Sequence, residues 1–276
     1  MSNTKRLSGP PRFGNRAYTL LFAFGLLLAA CTPQPLAVTR EPATLRLVTA
    51  DSCEPLAKAL ATAYEESHPW VTIHAETYDS ALGTQVLIEE KADLAFLSWL
   101  DMEETEGLWS RPFASDGIAV ITHPTTPFTE ISLGLLQEIY RGRVQEWEGT
   151  VLVVVSREDG SGTRATFEAA VLQGRDVTLT SVVMVSSKAT IEYVASTPGS
   201  IGYVSTLQLG DPAESGVRVL PVEGILPTPA TIKDKSYPLF RSLHVATVGE
   251  PTGEAREFAQ WVLGPQGQNA VTSTLN

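Results

Sequence analysis

The stretch LRLVTADSCEPLAKALATAYEESHPWVTIHA, residues 45–75, decides the class of fold. LRLVTA (45–50) alternates as a strand does. PLAKALATAYEE (55–66) repeats its apolar positions at the 3.6-residue spacing of an amphipathic helix, and VTIHA (71–75) reads as a second strand. Just downstream, residues 82–92 predict a helix and DLAFLS (93–98) a buried strand. The order β-α-β-α-β is the signature of a parallel sheet with crossover helices.

Working outward, the pattern recurs. GIAVIT (117–122) predicts a strand and residues 133–141 a helix; VLVVV (151–155) and residues 163–172 give the next strand and helix. Residues 180–185 and IGYVS (201–205) read as strands flanking a helix over 189–196. Residues 237–248 look extended, and a helix over 253–271 closes the chain. Two βαβ sets joined by a strand-like crossover predict a two-lobed α/β fold, with mixed, mostly parallel sheets, helices on both faces and a cleft between the lobes. Ligands in such sheets sit beyond the carboxyl ends of the strands, where helices begin.

The N-terminus has a different character. Residues 1–16 carry Lys5, Arg6, Arg12 and Arg16 with no acidic residue, an apolar run covers 20–30, and it stops at Leu28-Ala29-Ala30-Cys31. A charged head, a short apolar run and a small-residue stop mark residues 1–30 as a signal peptide. The run is too short for a permanent membrane span. Leu-Ala-Ala-Cys resembles the lipobox of bacterial lipoproteins, which implies lipidation of Cys31 and an extracytoplasmic body held at the membrane. TPQPLAVTREPA (32–43) suits a tether, so that 31–43 links anchor and fold.

Without the signal, Cys53 is the one cysteine besides Cys31, which excludes an internal disulfide and Cys-x-x-Cys chemistry. Four histidines without HExxH-type spacing argue against a metal site. Removing the four signal cations from the net charge of −11 leaves −15. That disfavours nucleic acid, whose phosphates seek a basic face. A small anion would have to be held by local dipoles and a nearby cation.

SREDGSGTRATF (156–167) offers both. Where a strand hands over to a helix, the first turn leaves backbone N–H groups without intrahelical partners, and glycines let an anion approach them. Ser161 and Thr163 add hydroxyl donors, and Arg157 adds a guanidinium fork. Two other readings compete. A nucleotide-binding loop needs GxxxxGK[ST], and no Lys follows Gly162. A plain turn, with Ser or Thr capping its helix, also accounts for the residue types.

VVVSREDGSGTRATFE resembles the phosphate-binding (PstS-like) proteins of bacterial ABC phosphate importers, a class of periplasmic-binding-protein folds. The resemblance extends over nearly the whole mature chain, through DGIAVITHP, ISLGLLQEIYRGRVQEW, TPGSIGYVS, GILPTPATIKDKSYPLFRSL and FAQWVLGPQGQ in order. It implies lobes at 44–115 with 206–276 and at 116–205, and phosphate held by Arg157, Ser161, Gly162 and Thr163. From the opposite lobe it implies Ser52 and Ser80. The chain departs from the family there: its first loop is TADSC rather than Gly-Ser-Thr-Ser, its second loop YDSALG keeps one serine and one later glycine, and Trp99 follows Ser98 in the third.

Asp51 has two readings. It accepts a proton from phosphate, which discriminates against fully ionised sulfate, or it caps the helix beginning near Pro55. The function expected is capture of inorganic phosphate for an ABC permease, by a monomer without cofactor or covalent step. The alternatives are another tetrahedral oxyanion, an adaptor or sensor with weakened binding, and a hydrolase using Ser161.

Overall fold

The computed structural model describes residues 40–100, 106–210 and 212–275. The signal segment, Cys31 and most of the tether lie outside the described residues. β1 (Ala43–Ala50) leads through a short 3-10 turn into α1 (Glu54–Ser67), then β2 (Val71–Tyr78), α2 (Ser80–Ile88) and β3 (Leu94–Leu97). β1 pairs in parallel with β2 on one side and β3 on the other, as the opening stretch predicts. The helix expected over 82–92 is shifted toward the N-terminus. Asp79 caps it by accepting from the Leu82 amide, and at its far end Glu90 turns left-handed, with φ 56°.

β4 (Leu108–Thr122) is longer than the strand expected over 117–122. After it come α3 (Leu133–Tyr140), a hairpin of β5 (Glu146–Trp147) and β6 (Thr150–Val151), β7 (Val153–Arg157), and α4 (Gly162–Phe167) with a π-helical extension. β8 (Val182–Met184), α5 (Ser187–Ser196), β9 (Ser200–Ser205), α6 (Thr206–Leu209), α7 (Pro212–Ser215), β10 (Arg218–Leu220) and α8 (Pro229–Lys233) follow. β11 (Phe240–Val248), α9 (Gly253–Leu263) and α10 (Pro265–Leu275) close the chain. The single helix expected over 253–271 is two, because Gly264 is extended ahead of Pro265.

The strands form a mixed sheet in the order β2-β1-β3-β11-β4-β9-β7-β8, with β10 also against β4. The first half of β4 pairs antiparallel with β11 and its last residues with β9, so this one strand runs from the first set of strands into the second. Pro112 hid its first half from the sequence. The structure accommodates that proline at a register shift opposite Leu243 and His244, where the ladder loses a donor without consequence.

Alternation along the strands sorts the side chains to two faces. In the first lobe Leu45 and Leu47 pack with Leu56, Leu60 and Phe258, while Val48 packs with Leu87 and Leu97 on the reverse. In the second, Ile118 and Val120 join Leu136, Phe167 and Tyr203, while Ala119 and Ile121 join Ile191 and Val194. Helices therefore cover both faces of both lobes. Leu220, Val222, Ile232, Tyr237 and Leu239 lie in the core with Ile118. Leu207 packs on the first-lobe core, so the segment between residues 206 and 239 touches both.

Asp116 sits where the crossings meet and is fully buried. Its Oδ2 accepts from Arg241 Nε (2.9 Å) and Nη2 (2.7 Å) and from Ser205 Oγ (2.9 Å), and its Oδ1 from Thr206 Oγ1 (2.8 Å). One carboxylate thus ties together three passages of the chain between the lobes.

Candidate functional site

The carboxyl ends of β1, β2, β3 and β7 converge on one point, as expected for a parallel α/β ligand site. β7 ends at Arg157, which is 1% exposed. Gly160 takes φ 86°, a left-handed value that suits glycine, and turns the chain into Ser161. Ser161 caps α4: its Oγ accepts from the Arg164 amide at 3.4 Å. The amides of Gly162 and Thr163, in the helix's first turn, have no partner within the helix, and both residues line the cavity formed there.

From the other lobe, the turn after β1 places Asp51 and Ser52, the start of α2 places Ser80, and the end of β3 places Ser98. Ser80 and Ser98 hydrogen-bond to each other at 3.1 Å, against Gly162 of the opposite lobe. The Ala81 amide donates to the Gly160 carbonyl across the cleft at 3.1 Å. Ser52 Oγ is buried and has no hydrogen-bond partner, which leaves a hydroxyl free for a ligand.

The seven residues singled out in the sequence, Arg157, Ser161, Gly162, Thr163, Ser52, Ser80 and Asp51, line a single cavity with Ala50, Asp79 and Ser98. It measures about 10 Å³, room for about one water molecule. No histidine lines it, so Ser161 has no imidazole base beside it.

Arg157 is heavily engaged. Its Nη2 and Nε donate to Glu158 (2.8 and 3.1 Å), and Nε also to the Met184 carbonyl (3.3 Å). Its Nη1 donates to Asp51 Oδ2 (3.2 Å) and Ser187 Oγ (3.1 Å). Ser187 Oγ in turn donates to Asp51 Oδ2 at 2.6 Å, and the Ser187 amide to the same oxygen at 3.2 Å. The reading of Asp51 as a cap for the helix near Pro55 is therefore corrected. Cys53 occupies that cap position without a side-chain bond, and the Asp51 carboxylate points to the opposite lobe. There it accepts from the first amide of α5, whose cap is Ser186.

Glu158, Ser187 and Asp79 were not picked out in the sequence. Glu158 had a local signal, a carboxylate next to the arginine it holds. Ser187 had none, being 136 residues from Asp51 in the chain. Cys53, behind the first loop, is fully buried, and burial pushes its thiol up to about 12. It is a packed core residue.

The family model described as PBP superfamily domain matches residues 37–266. The chain is similar to the phosphate-binding protein PstS of Bacillus subtilis (strain 168), at 26% identity over 274 residues, covering 92% of this chain and 90% of that one. It is also similar to a Clostridium perfringens protein with bound phosphate, described as a phosphate ABC transporter substrate-binding protein. There the identity is 29% and the TM-score 0.77, with 84% of this chain and 98% of that one covered. The fold further matches an ABC-type phosphate transport receptor from Vibrio cholerae, at 24% identity and a TM-score of 0.68, covering 83% of this chain and 98% of that one.

Proposed function

Because the chain belongs to the PBP superfamily, we propose that it captures inorganic phosphate outside the cytoplasmic membrane and delivers it to an ABC importer permease. The observation that carries this is the pairing of a cation and a helix start with hydroxyls across a cleft. Arg157 and the amides of Gly162 and Thr163 lie on one side, and the partnerless Ser52 hydroxyl and Ser80 lie on the other. Phosphate oxygens accept from these donors while hinge motion at the crossings lets the lobes part and close. Nothing in the site forms a covalent bond with the ligand.

Asp51 adds discrimination. Its carboxylate lines the cavity and, turned toward a bound ligand, accepts a hydrogen bond from the P–OH of hydrogen phosphate. Sulfate has no such proton and meets only the charge. Titration calorimetry of the purified chain with phosphate, sulfate, arsenate and molybdate tests the proposal. Phosphate binds, and Arg157→Ala weakens it by at least about a hundredfold, the loss of two charge-assisted bonds. Absence of heat with every anion overturns the carrier function. An unchanged phosphate-to-sulfate ratio in Asp51→Asn removes the role of Asp51.

A second reading, a family member that serves as a sensor with weakened binding, is favoured by one observation: a carboxylate already lies on Arg157. Affinity in the titration separates the two. The cationic head at 1–16, the apolar run at 20–30 and Cys31 support lipid anchoring of the mature chain. No helix among the described residues is long and apolar enough to cross a membrane. Metabolic labelling with a radioactive fatty acid, lost in Cys31→Ala, checks the anchor.

A further inference from the structure

The contacts of Asp51 go beyond ligand recognition. Asp51 leaves the end of β1 in the first lobe, whereas Arg157 and Ser187 belong to the second. Between them the three side chains are mutually satisfied. Ser187 Oγ accepts from Arg157 Nη1 and donates to Asp51 Oδ2, and both the Arg157 guanidinium and the Ser187 amide reach the same carboxylate oxygen. Ser186 caps α5 through the Ala189 amide, which leaves the Ser187 amide, at the first helical position, for Asp51. Ser187 is fully buried, Arg157 is 1% exposed and Asp51 19%, so water screens this cluster only in part. Gln208 Nε2 adds a bond from the second lobe to the Asp51 carbonyl at 2.5 Å.

We propose that Ser187, the start of α5 and Arg157 form a receptor for the Asp51 carboxylate, an interlobe latch that closes the cleft on the chain's own charges. Asp51 is then a tethered anion that competes with an incoming one for Arg157. Ser187 is the positioning residue: it binds the carboxylate and steers the arginine without facing the cavity itself.

The functional consequence rests on the phosphate-capture reading, whereas closure of the cleft does not. The latched cavity of about 10 Å³ holds about one water, and phosphate with five heavy atoms needs several times that. Phosphate therefore binds a chain that has first unlatched, and its apparent affinity is lowered by the fraction that is latched. Removing the latch raises affinity and association rate together. It leaves the phosphate-to-sulfate ratio alone as long as Asp51 keeps its carboxylate.

The test uses the purified chain and two variants, Ser187→Ala and Asp51→Asn, with small-angle scattering in the absence of phosphate and stopped-flow association of inorganic phosphate. Both variants are expected to show a larger radius of gyration than the wild type before phosphate is added. Ser187→Ala is expected to bind phosphate about tenfold faster and tighter, with sulfate gaining in proportion. Scattering profiles that coincide with the wild type in both variants overturn the latch, as does weaker phosphate binding in Ser187→Ala. If phosphate binds none of the three proteins, the phosphate reading fails, and the scattering comparison still decides the latch.

Discussion

Gly162→Ala drives a wedge between the lobes at one atom. A β-carbon built on Gly162 lies 3.0 Å from Ser80 Cβ and overlaps the hydroxyl oxygens of both Ser80 and Ser98. Rotating a hydroxyl relieves only part of this, since Ser80 Cβ is fixed to its backbone and the two oxygens are bonded to each other at 3.1 Å. Restoring ordinary contact requires the first lobe to retreat by about 1 Å. When the unlatched lobes close again over phosphate, the added carbon stops them short and holds Ser52 and Ser80 back from the anion by that amount. Each is worth about 1.5–3 kcal/mol to a charged group, so loss of both weakens binding by about a hundredfold or more. Stability moves the other way, because alanine is preferred to glycine in a helix by about 1 kcal/mol, and Gly162 has no left-handed torsion to protect. Titration calorimetry with phosphate, alongside thermal melting, reads both effects: affinity falls at least about a hundredfold while the melting temperature holds or rises. Wild-type affinity in Gly162→Ala refutes the closed geometry. A collapse in melting temperature refutes the placement of the wedge between lobes rather than within one.

Asp116→Ala leaves Arg241, 5% exposed, without its charge partner. It should cost about 3–5 kcal/mol, a fall of about 10 °C in melting temperature; a shift below about 2 °C would contradict the role of Asp116 at the crossings. His244 is held below its ordinary pKa of 6.5 by burial. The unfolded chain therefore takes up the proton first, and the His244 contribution, complete above about pH 6.5, is lost as pH falls through the depressed value of the folded state. His244→Gln should flatten the decline in denaturant stability below about pH 6.5, and parallel curves for the two proteins would remove this assignment. Cys53, its thiol pushed up to about 12 by burial, should resist a thiol reagent at pH 8 in the native chain and react on unfolding. Prompt reaction would mean that the first loop opens on its own.

The β-α-β-α-β order was legible because strand and helix leave periods of two and 3.6 in neighbouring residues. The turn at Arg157 to Thr163 was legible as a candidate anion site because its chemistry is local: an arginine, two glycines and two hydroxyls fall within seven residues. Other features lacked a local signal. The first half of β4 contains Pro112, which argues against a strand unless a register shift is there to absorb it. The break at Gly264 was overlooked although Pro265 announced it. The placement of residues 220–239 with the second core depended on which sheet face Leu220, Val222 and Leu239 would meet, and composition does not encode that.

The sequence by itself determined a two-lobed α/β fold and singled out a turn suited to an anion, since periodicity and turn chemistry act between residues close in the chain. Only the tertiary structure decided what Asp51 does. Its partners Arg157 and Ser187 are 106 and 136 residues away, and neither is in reach until the lobes close. A carboxylate in the first loop reads equally well as a helix cap or a ligand contact. It becomes a bridge to the opposite lobe because partial burial makes paired donors favourable, and a buried cation and the first amide of a helix lie across the cleft.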